Sequence, residues 1–197
     1  MTTAGGDEPH GRLPWFRPED FTAEQREYYD GLLASPRDRA AVLDEQGRLN
    51  GPFNARILDP RIGTAIQRLG AVLRFDTPAL TGRQRESSIL EIARFEKSGY
   101  EWTSHSKAAL AAGLSPAEIE AILQGTDLET FSAAELLTRR VIRILLAERD
   151  LSDAVYAEAT EGLGLVTVFD LVSLVGYYQH TALSLRVWRV PDDGPFK

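Results

Sequence analysis

The sequence predicts an all-α protein, a compact bundle of helices, and three observations carry that expectation. Apolar residues recur at helical spacing rather than in alternation along most of the 197 residues. Four capping boxes mark helix entrances, Thr22 with Gln25, Thr81 with Gln84, Ser115 with Glu118 and Ser132 with Glu135; each satisfies amide donors the first turn leaves open. Glycines at 113, 125 and 162 follow helical runs, where a left-handed residue ends a helix.

In chain order, residues 1–20 read as a flexible lead-in and 21–197 as one domain. The stretch from Met1 to Pro14 is polar and glycine-containing and lacks the apolar core of a secretory signal. Helices are expected near 22–34, 36–44 and 60–74, the last entered by Asp59 as cap and Pro60 at the first helical position, where a missing N–H costs nothing. Further helices are expected near 82–97, 99–112, 116–124, 133–149, 153–161 and 165–187, with loops at Gly47 to Asn54 and Arg74 to Leu80. Val166 to Leu174 is rich in β-branched residues, but its apolar pattern runs on at helical spacing to Ala182, Leu183 and Leu185, so it reads as helix. That last helix is apolar on more than one face, which predicts burial all round, in the centre of a bundle or at a subunit interface, and therefore a homo-oligomer.

Composition narrows the function. Twenty-two Lys and Arg against 29 Asp and Glu give a net charge of −7, which argues against nucleic acid, since phosphate binding needs clustered cations. Arg139, Arg140 and Arg143 read as a small solvated basic face. With no cysteine, disulfides, thiolate metal sites, iron–sulfur clusters and thiol redox chemistry are excluded. The most apolar window, Leu163 to Tyr178, is interrupted by Thr167, Asp170 and Ser173 and is shorter than the about 20 apolar residues of a membrane span. The expectation is a soluble, cytoplasmic protein with no membrane partner.

The chemistry concentrates between residues 85 and 123. Glu101 and His105 are i and i+4 on one helix, so their side chains meet on one face. A carboxylate beside an imidazole orients the ring and favours its charged form, giving a general acid or base adjustable around neutral pH. The same spacing also suits a surface ion pair or a satisfied core histidine. Ser98 lies seven residues before His105, about 10 Å along a helix, too far for a nucleophile-to-base hydrogen bond in a Ser–Glu–His triad. Catalytic zinc wants three protein ligands, and beyond Glu101 and His105 the shell would need His180 or Glu86, so no metal site is assigned. Gly99 interrupts the pattern between Glu86 and Glu101, which leaves open whether Glu86 joins them.

The spacing Glu86, eleven residues, Ser98, two residues, Glu101, three residues, His105, followed by AALAAGLSPAEIEAIL, resembles the carboxymuconolactone decarboxylase and alkyl hydroperoxidase D superfamily. In that family's peroxidase branch cysteines stand at the positions of Ser98 and Glu101. Without them the chain cannot run a thiol peroxidase reaction; a glutamate before the histidine looks like the decarboxylase branch. The resemblance covers about Gly51 to Gly125 and, more loosely, the last helix through YYQHTALSLRVWRVP. It implies a helical bundle of the alkyl hydroperoxidase D type assembled as trimer or hexamer, and a site without organic cofactor acting on a small carboxylactone or related acid. His105 would donate the proton, with Glu101 tuning the ring and Glu86 as a second relay carboxylate.

Ser98, Trp102, Asn54, Arg74, Tyr177, Tyr178 and His180 are candidate substrate contacts. Trp102 suits either a pocket wall or a core aromatic. Tyr177, His180, Thr181 and Ser184 share a face of the last helix, a polar stripe that needs partners when buried. Arg74 could take a substrate carboxylate bidentately or serve a structural ion pair. The alternative to an enzyme is a non-catalytic oligomeric binding protein on the same scaffold.

Overall fold

The computed structural model describes residues 9–196. Helices follow one another as α1 (Ala23–Leu33), α2 (Arg39–Val42), α3 (Pro52–Arg56), α4 (Pro60–Phe75), α5 (Gly82–Glu96), α6 (Gly99–Ala111), α7 (Pro116–Gln124), α8 (Ala133–Glu148), α9 (Asp153–Leu163) and α10 (Leu165–Trp188). Among the described residues there is no strand beyond two isolated bridges, His10 with Leu13 and Leu43 with Leu49. The fold is all-α, as the sequence predicts. All four expected capping boxes form, with the side-chain and backbone halves both made at Thr22, Thr81, Ser115 and Ser132.

Several boundaries differ from expectation for local reasons. The helix expected over 36–44 starts only after Asp38, whose Oδ1 accepts from the Ala40 amide at 3.0 Å. It stops when Asn50 donates its amide to the Val42 carbonyl at 2.8 Å. The loop expected at 47–54 contains the short α3, because Gly51 turns the chain at φ 56° and Pro52 opens a helix there. Gly113 and Gly125 take positive φ as expected, but Gly162 lies inside α9 and Gly164, at φ 88°, ends that helix instead.

The described residues form two compact units, up to residue 75 with 183–192, and residues 76–182 with those from 193 onward. In the first unit, α1 and α3 pack on α4. Its core gathers Tyr28, Tyr29, Leu32, Val42, Leu49, Phe53 and Ile57. The residues of the expected flexible lead-in from position 9 onward are seated in this unit. His10 is buried beside the Trp15 ring at 4.3 Å, and Asn54 fixes the strand-like stretch after it, its Nδ2 donating to the Pro14 carbonyl at 3.1 Å. Satisfying those backbone groups removes the freedom that polarity alone suggested. Positions 1–8 lie outside the described residues.

In the second unit α5 packs against α6, α7 and α8, and α8 against α9. Leu90, Ala93, Trp102, Ala109, Leu114, Ile122 and Phe131 make its core. Glu91 is fully buried there and draws in Arg139, also fully buried, through Nε at 3.0 Å and Nη2 at 2.9 Å. Arg143 adds a third bond at 2.9 Å. The expected solvated arginine face is thus corrected: a buried carboxylate needs paired cations, and Arg139 and Arg143 supply them. Arg140 remains outside, paired with Glu158.

Helix α10 is not buried all round within one chain. Val168, Leu171, Leu174 and Val175 are inside, whereas Leu165, Val166, Phe169 and Val172 are exposed. Both faces are apolar, which is why the pattern could not tell inside from outside. Among the described residues no single helix is long and apolar enough to cross a membrane.

Candidate active site

The second unit brings Glu86, Glu101 and His105 together because α5 and α6 form a tight helical hairpin. Helix α5 ends on Lys97 in the left-handed conformation (φ 51°), with the Ser98 amide reaching back to the Ala93 carbonyl at 2.9 Å. Such a wrapped terminus reverses the chain within two residues. A non-glycine residue adopts it at a cost of about 1 kcal/mol. Glu86 then lies about 16 Å back from the reversal and His105 about 10 Å beyond it on the returning helix, near enough for side chains to meet. Gly99, where the sequence suggested a break, is instead the first residue of α6.

The three side chains are almost wholly buried, at 3%, 4% and 3% relative exposure for Glu86, Glu101 and His105. His105 Nδ1 is 2.7 Å from Glu86 Oε2, and His105 Nε2 is 3.3 Å from Glu101 Oε2. The other oxygen of Glu86 accepts from Arg85 Nε at 3.2 Å. The Tyr178 ring meets the imidazole edge-to-face, with centroids 5.1 Å apart.

This geometry sorts the roles of the two nitrogens. The short Nδ1 contact to a carboxylate that Arg85 also engages fixes the Nδ1–H tautomer and the ring plane. Nε2 faces Glu101 across a looser gap. The cluster therefore anchors one ring nitrogen on Glu86 and turns the other toward Glu101.

The other expected residues divide. Ser98 caps α6 without a side-chain capping bond, and its Oγ is buried with no hydrogen-bond partner among the described residues. Trp102 is a core aromatic, packed edge-to-face on Phe196 with centroids 5.7 Å apart. Tyr177 is buried against Tyr178. His180 is exposed, which splits the polar stripe expected on α10: Tyr177 and Thr181 are buried, the Thr181 hydroxyl donating to the Tyr177 carbonyl at 3.0 Å. Asn54 and Arg74 belong to the first unit; Asn54 is occupied by its bonds to the lead-in, and Arg74 stacks on Phe75 at 5.1 Å. Sequence reasoning missed Arg85, Gly194 and Phe196. A flanking arginine is a common surface residue, and no periodicity links positions 194–196 to α6.

The profile of the carboxymuconolactone decarboxylase family matches residues 60–143, from the start of α4 well into α8, and so takes in Glu86, Ser98, Glu101 and His105. This segment, rather than the whole chain, resembles the carboxymuconolactone decarboxylase family. Among solved structures it is similar to an uncharacterized peroxidase-related protein from Silicibacter sp. TM1040, at TM-score 0.71 and 12% identity over 99% of this chain and 97% of that one. At that identity the likeness is one of fold. No curated protein matches the chain. The matched segment carries no thiol: Ser98, at the cap of α6, and Glu101 precede His105, and the chain has no cysteine.

Proposed function

We propose that the protein is a cofactor-independent acid–base enzyme of the decarboxylase type, acting on a small carboxylactone or related organic acid. The observation that carries this reading is the burial of His105 between two carboxylates, with Nδ1 2.7 Å from Glu86 and Nε2 3.3 Å from Glu101, an arrangement that suits a shared proton. In such a reaction the bond to the departing carboxylate breaks, carbon dioxide leaves, and the electron pair stays as an extended enolate. His105 Nε2 then delivers its proton to carbon, and Glu101 returns the ring to its charged form by relaying a proton from solvent. Glu86 keeps Nδ1 protonated throughout, so that Nε2 alone works. A general acid placed this way typically contributes about 10²- to 10⁴-fold in rate. The buried Ser98 hydroxyl, which has no hydrogen-bond partner among the described residues, is a candidate to bond the substrate.

The test is a panel of lactone acids and β-keto acids followed by carbon dioxide release and by solvent deuterium incorporated into product, with chelator present. The native protein is expected to turn over at least one, and His105→Gln to lose turnover while keeping its helicity. Equal rates in both, or none in either, would overturn the reading.

A further inference from the structure

The catalytic cluster is sealed, yet a substrate must reach it, and the segment lying over the first turn of α6 is the element built to move. Residues 193–196 belong to the same unit as α6. Gly194 is buried directly on Gly99, so close that a Cβ at Gly194 would overlap the Gly99 Cα. Phe196 sets its ring edge-to-face on Trp102, the neighbour of Glu101. Around these two attachments Asp193 and Pro195 are exposed, and the stretch has no helical turn of its own. A short, irregular, largely exposed segment belongs to the low-stability end of a fold, opening at a fraction of the cost of unfolding the helices beneath it. The two positions it touches, Gly99 and Trp102, are chain neighbours of Ser98, whose buried hydroxyl lacks a hydrogen-bond partner among the described residues, and of Glu101. A buried hydroxyl left unpaired in the closed state calls for a ligand group to pair with.

We infer that residues 193–196 form a displaceable cover over the N-terminal turn of α6, and that small molecules reach Ser98, Glu101 and His105 when it lifts. The identity of what enters rests on the acid–base reading above; the cover itself does not. Gly194 is the hinge contact, since only a glycine lets the segment lie flat on Gly99, and Phe196 is the latch.

Two variants dislodge the segment by different means. Gly194→Ala forces it off the Gly99 backbone, and Phe196→Ala removes the ring anchored on Trp102. The readout is the rate at which diethyl pyrocarbonate modifies His105, resolved by peptide mass spectrometry, with exposed His180 as internal reference and far-ultraviolet circular dichroism reporting helix content. Both variants are expected to raise the His105 rate at least tenfold, with the His180 rate and the helix content unchanged. A His105 rate equal to that of the native protein in both variants would overturn the proposal. So would loss of helix content in both, because the segment would then be a fixed part of the core. Neither readout depends on turnover: a missing activity with an accelerated His105 would sink the acid–base reading and leave the cover standing.

Discussion

Glu86 and Glu101 both touch His105, but the structure gives them unequal structural weight, and exchanging each for glutamine separates anchor from proton carrier. Glu86 is buried to 3% exposure and holds two cationic groups, His105 Nδ1 at 2.7 Å and Arg85 Nε at 3.2 Å. Glu86→Gln keeps the volume but strands one of the two donors, because the new amide cannot accept at both ends. Leaving a buried cation without its counter-charge costs about 3–5 kcal/mol, reduced here to about 2–4 because the amide oxygen still accepts one bond and Arg85 is partly exposed. At about 2–4 °C per kcal/mol for a chain of this size, the melting temperature should fall by about 5–15 °C. Glu101 makes one looser contact, 3.3 Å to Nε2, and Glu101→Gln should cost about 1 kcal/mol or less. Activity should nevertheless fall by about 10²-fold or more in both, since one variant loses ring orientation and the other loses the shared proton. Urea denaturation with matched kinetics checks this. A Glu101→Gln protein less stable than Glu86→Gln, or a Glu86→Gln protein as stable as the native one, would refute the division of roles.

Two further expectations concern the frame around the site. Arg83 donates to Glu118 at 2.8 Å and holds its carboxyl down at about 2, against an ordinary 4.5. A carboxyl depressed in the fold stabilises above its unfolded pKa, so this contribution, about 1–2 kcal/mol after screening by solvent around the partly exposed Arg83, is complete above about pH 4.5 and lost as the pH falls toward 2. Arg83→Gln should flatten acid denaturation over that window, and an unchanged slope would remove the pair from the account. Glu91→Leu should cost about 2–4 kcal/mol by leaving buried Arg139 only Asp127 and the Thr126 carbonyl, and Glu91→Leu with Arg139→Leu should recover part of it; chemical denaturation of the four proteins of the cycle measures the coupling, and simple additivity would contradict it.

The helical frame was legible because its signals are local. Thr81 and Gln84 need only each other to start α5, and Ser115, Pro116 and Glu118 only each other to start α7, so chain order carries them. The pair Glu101 and His105 was legible for the same reason, being one turn apart on α6. Glu86 was ambiguous because its place depends on where the chain reverses. The sequence suggested Gly99, whereas Lys97 takes the left-handed turn against its own propensity, held by the packing of α5 on α6. Periodicity is silent on which of two apolar faces of α10 is covered within one chain, and on whether a cation is buried, hence Arg139. Gly194 against Gly99 joins positions almost a hundred residues apart, and only the folded chain brings them together.

The proton arrangement at His105 is open to direct observation by ¹⁵N-edited nuclear magnetic resonance of the native protein across neutral pH. The account predicts a ring protonated at Nδ1 throughout, with a second, strongly downfield proton shared between Nε2 and Glu101 that disappears in Glu101→Gln. A ring protonated at Nε2 alone, with Nδ1 bare toward Glu86, would contradict it.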